Sequence, residues 1–251
     1  MLNGPKSVEY SDDLHDLGRV LVWQGRYKTA EEIARKLVAI HGSQHGEGDD
    51  TKDNLDALDL LGQVLERQGL FTPAERLYRR VLHGREKILG LEHLDTLSSL
   101  SDLGTAFSFQ GKYDEAKAMY QRGLEGCEKL LGLEHHATLS VVDRLGSVYL
   151  MQGRCNEAEA MHQRAVVGYE KMFGLEHPDT LNSLDHLGLV FAIQGRYNEA
   201  EVMYRRALEG RQKVLGLEHP RTLSSISDLR SVLRRQGKND EAEALDQVYG
   251  T

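Results

Sequence analysis

The stretch GLEHPDTL at residues 174–181 has close copies at 90–97 (GLEHLDTL), 132–139 (GLEHHATL) and 216–223 (GLEHPRTL), so its first glycine recurs every 42 residues. Self-similarity at such a period marks stacked supersecondary units rather than one folded core. Each unit carries more apolar surface than it can bury alone, so stability comes from its neighbours. The period also moves the functional question. Arrays of this kind present one long face rather than a pocket of catalytic groups.

The residues that follow the stretch read as two helices. Leu181, Leu184, Leu187, Gly188 and Phe191 recur at i, i+3, i+4 spacing and form one face of helix A. Gln194-Gly195 ends it, since glycine readily takes the left-handed conformation at a helix C-terminus. Asn198 reads as the N-cap of helix B, with Glu201 completing a capping box. The same box is expected at Thr72 with Glu75, Asn156 with Glu159 and Asp240 with Glu243, and Pro73 is expected at the first helical position. Helix B carries Ala200, Met203, Tyr204, Ala207 and Leu208 on its buried face, Lys213 in its last turn and Gly216 as its stop. The chain is therefore all-α, each repeat being helix, turn, longer helix, turn.

Glycines keep this register across the chain. One column is Gly18, Gly62, Gly104, Gly146 and Gly188; a second is Gly25, Gly69, Gly111, Gly153, Gly195 and Gly237; a third is Gly84, Gly126, Gly168 and Gly210. Composition excludes several function classes. Net charge is −8, which argues against nucleic acid, whose phosphates call for a basic stripe. No apolar run approaches the roughly 18 residues of a membrane span, and the N-terminus shows no secretory signal. Cys127 and Cys155 lack metal-ligand spacing, so a reduced, cytoplasmic setting is expected. No P-loop, nucleophile elbow or HExxH pattern is present, and neither catalytic residues nor a cofactor are expected. The column His93, His135, His177 and His219 is expected to cap or orient loops, because histidines one repeat apart are too distant to share a metal ion.

The spacing Leu100-x2-Leu103-Gly104-x2-Phe107, then Ala116-x3-Tyr120, resembles the tetratricopeptide (TPR) pattern with Leu in place of Trp, Gly104 allowing a close crossing with Ala116 opposite. Residues 173–208 resemble the 42-residue repeats of kinesin light chains, and more closely the near-identical arrays at the C-termini of STAND-type NTPases, the NLR-like receptors. The likeness runs over residues 8 to 249. It implies a single right-handed α-solenoid of six helix pairs, with repeats at roughly 8–48, 52–90, 95–132, 137–174, 179–216 and 221–249. The last pair departs most: Arg230 replaces the glycine, which predicts a splayed crossing, and Ala242, Leu245 and Val248 lack a following repeat to cover them. That end is expected either to continue into a longer array or to self-associate.

The resemblance also implies a concave groove lined by helix A, and comparison among repeats says which residues differ there. With Leu97 as position 1, positions 4, 7, 8 and 11 face the core and scarcely change. Position 6 reads Asp16, Leu60, Asp102, Arg144, His186 and Asp228; position 9 includes Arg19, Gln63 and Leu189; position 13 includes Trp23, Arg67, Phe109, Met151 and Ile193. Together with Asp143 and Asp185 these are the candidate ligand-binding residues. Asp12, Asp59 and the aspartates already named make the groove acidic on balance, so a basic or amphipathic peptide or protein is the expected partner. The Lys and Asn set of carboxylate-clamp TPRs is missing. The resemblance implies a ligand-sensing or autoinhibitory array of an NLR-like receptor, or alternatively a kinesin-light-chain-like cargo adaptor or a self-assembling module.

Overall fold

The computed structural model describes residues 5–45 and 50–249, with side chains at 11–42 and 50–246. Among the described residues there are twelve helices and no strand: α1 (Pro5–Trp23), α2 (Tyr27–His45), α3 (Lys52–Arg67), α4 (Phe71–Leu89), α5 (Leu94–Phe109), α6 (Tyr113–Leu131), α7 (His136–Met151), α8 (Cys155–Phe173), α9 (Pro178–Ile193), α10 (Tyr197–Leu215), α11 (Pro220–Arg235) and α12 (Asn239–Tyr249). Odd-numbered helices are the expected A helices and even-numbered ones the B helices. The chain divides into two compact units, Met1–Gly126 and Cys127–Thr251. In the first, each helix from α1 to α5 packs on the next, and α1 and α5 both touch α3. In the second, α7 to α12 pack in the same serial fashion, and α7 also touches α9.

Five of the eight letters of GLEHPDTL have a structural task. Gly174 sits at φ 87°, where a side chain would be strained, and its N–H bonds the Glu170 carbonyl to close α8. His177 caps α9: its Nδ1 accepts the N–H of Asp179 at 3.2 Å, and His93, His135 and His219 repeat the contact. Pro178 occupies the first turn, where no N–H partner is needed. Thr180 is fully buried and donates its hydroxyl back to the Gly174 carbonyl at 2.9 Å, which locks the loop. Leu181 then enters the core opposite Gly210 of α10, where an added Cβ would lie 2.5 Å from the leucine Cδ2. The histidine column thus caps helices, as expected.

The A-to-B turn differs from the capping-box expectation. Gln194, Gly195 at φ 77° and Arg196 make a three-residue connection, with Arg196 N–H bonded to the Phe191 carbonyl at 2.9 Å in a Schellman arrangement. Helix B therefore begins at Tyr197, and Asn198 lies one residue inside it. Likewise Thr72, Asn156 and Asp240 are second residues and Pro73 is a third, while the N-caps Leu70, Arg154 and Arg196 make no side-chain cap bond. The glutamates tie one repeat to the next instead. Glu75 accepts from Gln110 and Lys112 at 2.7 and 2.8 Å, Glu159 from Gln194 and Arg196 at 3.1 and 2.6 Å, and Glu201 from Lys238 at 2.6 Å.

The close A–B crossing is present, but an aromatic ring rather than Ala116 faces the glycine. A Cβ on Gly62, Gly104 or Gly188 would come within 2.7, 2.8 or 2.9 Å of Tyr78, Tyr120 or Tyr204, and one on Gly146 within 2.8 Å of His162. Side chains bridge the sixth crossing. Asp246 stands in the tyrosine column, and Arg230 and Arg234 both bond its carboxylate. Ala242 is fully buried in one cluster with Leu208, Leu229 and Leu233, and Leu245 packs against that cluster. The apolar residues expected to lie bare are thus covered within the unit, apart from Val248, whose side chain lies outside the described residues.

Candidate functional site

In the second unit, α7, α9 and α11 surround a cleft of about 430 Å³. Its walls carry Ser140, Asp143 and Arg144, then Asp179, Asn182, Asp185 and His186, then Arg221 and Ser224; Tyr169 and Arg211 reach it from helices α8 and α10. Arg211 is buried and fully engaged: it pairs with Asp185 and bonds Ser225 Oγ and, at 3.0 Å, Asn182 Oδ1. Burial pushes the Asp185 carboxyl above its ordinary range despite the Arg211 charge. One repeat earlier the arginine column holds Tyr169, and Asp143 finds other partners. His162 Nδ1 lies 2.8 Å from one carboxylate oxygen, His186 Nδ1 2.9 Å from the other, and Ser183 Oγ donates at 3.2 Å. An ionised carboxylate only accepts, so both rings donate from Nδ1. Burial opposes ionisation of Asp143, yet these hydrogen bonds and the histidine charges hold it well below the usual carboxylate range. Burial likewise lowers His186, but the bond to Asp143 and that charge outweigh it and raise its pKa.

The first unit has a cleft of about 350 Å³ lined by His15 and Arg19, by Lys52, Asp56, Asp59, Leu60 and Gln63, by Arg85, and by Asp95 and Ser98. Buried Arg85 bonds Asp56 and Asp59 at 2.8 and 3.1 Å and Ser99 Oγ at 2.8 Å, the counterpart of Arg211 within its own repeat. A neighbouring hollow of about 280 Å³ gathers Arg19, Val22, Trp23, Tyr27, Gln63 and Arg67, and Trp23 beside it is 89% exposed.

The candidate residues divide accordingly. Arg19, Trp23, Gln63 and Arg67 come together in the first unit, and Asp143, Arg144, Asp185 and His186 in the second. Asp102, Phe109, Met151, Leu189 and Ile193 line none of these clefts. Met151 and Ile193 are 59% and 57% exposed at the C-terminal ends of their helices, whereas Phe109 stacks on Phe71 with centroids 4.7 Å apart. Three of the seven aspartates expected to make the groove acidic are paired from within: Asp59 by Arg85, Asp185 by Arg211 and Asp143 by two histidines; Asp179, outside that set, meets His136 at 3.0 Å. Arg85, Tyr169 and Arg211 reach the clefts, and His162 reaches Asp143, from helix B, where variation along helix A gives no sign of them. The signal was present: the column Arg85, Cys127, Tyr169, Arg211 changes class between near-copies as freely as the groove positions do.

Among the described residues no helix is long and apolar enough to cross a membrane. The tetratricopeptide repeat family model matches residues 13–87, 53–129, 110–171, 136–213 and 179–248. No curated protein matches the sequence. Solved structures do. The kinesin light chain nearly identical TPR-like repeats of Podosopora anserina align with a TM-score of 0.68 and 23% identity over 85% of this chain and 99% of that one. NprR in complex with its cognate peptide NprX aligns at 0.67 and 14% identity over 96% of this chain and 66% of that one. A signal transduction ATPase with a tetratricopeptide repeat sensor from Pyrococcus horikoshii aligns at 0.73 and 15% identity over 93% of this chain and 34% of that one. At these identities the likeness establishes the fold.

Proposed function

The chain belongs to the tetratricopeptide repeat family, and on that premise we propose that it is a non-catalytic scaffold that binds an amphipathic peptide segment along its A-helix face. The observation that carries this is the cleft of the second unit, where Arg144 and His186, from a column that changes between repeats, meet Asp143 and Asp185 around one opening. Columns that face the core stay fixed while that column varies, which is the pattern of a surface shaped for a partner. Backbone N–H and C=O groups of an extended peptide find both acceptors and donors there, and apolar side chains of the same peptide find Met151 and Ile193 beyond the cleft. In the second unit Asp143 and Asp185 are paired internally and Arg144 and Arg221 stand beside them, so a peptide of mixed charge fits this cleft as well as a basic one.

The peptide-bound NprR and the P. horikoshii sensor support a further step: that the array is the ligand-sensing region of a larger NLR-like receptor acting in the cytoplasm. Resemblance to the kinesin light chain repeats favours cargo binding as the second reading. A peptide-display selection on the full chain, followed by fluorescence anisotropy of the selected sequences, tests the binding assignment. Arg144→Ala with Arg221→Ala should weaken a selected peptide at least tenfold, while Glu157→Gln with Glu199→Gln should not. Loss in the second pair and retention in the first would place the site elsewhere.

A further inference from the structure

We propose that Asp143, His162 and His186 form a binding site for a first-row divalent cation with zinc's ligand preferences, the carboxylate and one nitrogen of each ring supplying three ligands and the adjoining cleft a fourth from water. The donor atoms of the three residues already lie within 4.8 Å of one another. Zinc holds nitrogen and oxygen ligands at about 2.0–2.2 Å, with neighbouring ligands roughly 3.3 Å apart in tetrahedral geometry. The 2.8 and 2.9 Å separations between Asp143 and the two rings need to open by only about half an ångström.

Three further observations separate this cluster from an ordinary buried hydrogen-bond network. His162 is 1% exposed and its Nε2 has no hydrogen-bond partner, so its ring is held through Nδ1 alone. A cation entering at Nδ1 displaces the Nδ1 protons: a neutral ring moves its proton to Nε2, and an imidazolium releases one to water. At His162 that shift costs no existing hydrogen bond, because Nε2 makes none. Access is provided as well, since Asp143 and His186 both line the 430 Å³ cleft. Finally, the cluster is particular to one repeat. His162 stands where Tyr78, Tyr120 and Tyr204 stand, and Tyr169 stands where Arg85 and Arg211 do; an arginine there would supply a competing cation.

The mixed imidazole–carboxylate set suits zinc, nickel or cobalt better than calcium or magnesium, which take oxygen ligands. The test uses the full chain freed of metal with EDTA and titrated with zinc chloride by calorimetry, with bound metal counted after gel filtration. One equivalent is expected, with affinity falling more than tenfold in both His162→Tyr and His186→Leu. Each variant installs a residue that another repeat carries in the same column, Tyr78 for the first and Leu60 for the second. Absence of a stoichiometric equivalent, or wild-type affinity in both variants, would overturn the site. Should either variant fail to melt cooperatively, cobalt(II) absorbance of the wild-type chain decides. Intense d–d bands of a low-coordinate site uphold it, and the pale spectrum of the aqueous ion overturns it.

Discussion

Arg230 and Asp246 pair across the sixth helix pair at the two positions that Gly188 and Tyr204 occupy in the fifth. A glycine under an aromatic ring and an arginine against a carboxylate are two solutions to the same crossing. Reading the glycine's loss alone predicts a gap. Reading both columns together gives a compensated pair, since the ring that needed the glycine is absent too. The pair is partly buried, and Arg234 also reaches Asp246 at 3.0 Å, so it exceeds an isolated surface contact. Arg230→Gly and Asp246→Tyr should each destabilise the full chain in urea, while the double variant rebuilds the glycine–tyrosine crossing. A double-mutant cycle should return a coupling of about 0.5–3 kcal/mol; additivity of the two changes would refute the compensation.

At Gly104 two effects oppose each other. Alanine gains about 1 kcal/mol of helix propensity over glycine. Its Cβ, however, would lie 2.8–3.0 Å from three atoms of the Tyr120 ring, whose hydroxyl is held 2.9 Å from Thr105 Oγ1. Overpacking of that kind costs about 1–3 kcal/mol, so it should win and Gly104→Ala should lower the urea midpoint. Adding Tyr120→Leu should make the alanine neutral or favourable. A midpoint raised by Gly104→Ala alone would show that the ring yields freely.

The loop lock gives a sharper contrast. Thr180 is fully buried, and its hydroxyl is the donor to the Gly174 carbonyl. Thr180→Val keeps the shape and removes the donor, forfeiting a hydrogen bond of about 0.5–1.5 kcal/mol. Thr180→Ser should recover most of the loss. If valine and serine melt alike, the bond contributes little and the threonine is retained for its shape.

Much of this was legible in the sequence, and the failures share one cause. The four-fold stretch identified the end of helix B, the loop and the start of helix A, because glycine, histidine, proline and threonine each act locally within a few residues of where they stand. The capping boxes misled for the opposite reason. Thr72-x2-Glu75 satisfies a local pattern, yet Glu75 is claimed by Gln110 and Lys112 of the following repeat, and no spacing rule within one repeat reports such a partner. The candidate site shows the same division. Variation along helix A found Arg144 and His186, and the acidity of the groove pointed to Asp143 and Asp185, but the side chains that pair with those aspartates, Arg211 and His162, come from helix B.

Glu75 and Glu201 make the pH dependence testable. Burial raises both carboxyls, but bonds from Lys112 and Gln110 to the first, and from Lys238 and Arg205 to the second, outweigh it and leave both pKa values lowered. A carboxylate with a depressed folded pKa contributes stability above its unfolded value, near 4.5 here, and loses it as pH falls through the folded value. The melting temperature should therefore drop on acidification below about pH 5. Glu75→Gln should lower it at neutral pH and flatten the acid limb. An equal difference between variant and wild type at pH 7 and pH 3 would mean that the glutamate charge is not what the following repeat holds.

The exposed apolar residues at the helix A ends separate packing from recognition. Phe109 is 63% exposed but stacked on Phe71, with ring planes 7° apart. Removing it forfeits an aromatic pair of about 0.5–1.5 kcal/mol, so Phe109→Ala should lower stability measurably. No ring contact of this kind holds Met151 or Ile193, both more than half exposed, and Met151→Ala and Ile193→Ala should stay within about 0.5 kcal/mol of wild type. Any weakening of a selected peptide by those two variants then reports lost contact with the peptide rather than a damaged scaffold. Apolar anchors on a partner surface are where most binding energy concentrates, so each should weaken binding by about tenfold, chiefly through faster dissociation. If Met151→Ala and Ile193→Ala leave both stability and dissociation rate unchanged, the peptide runs within the charged cleft alone, and the apolar helix ends take no part in holding it.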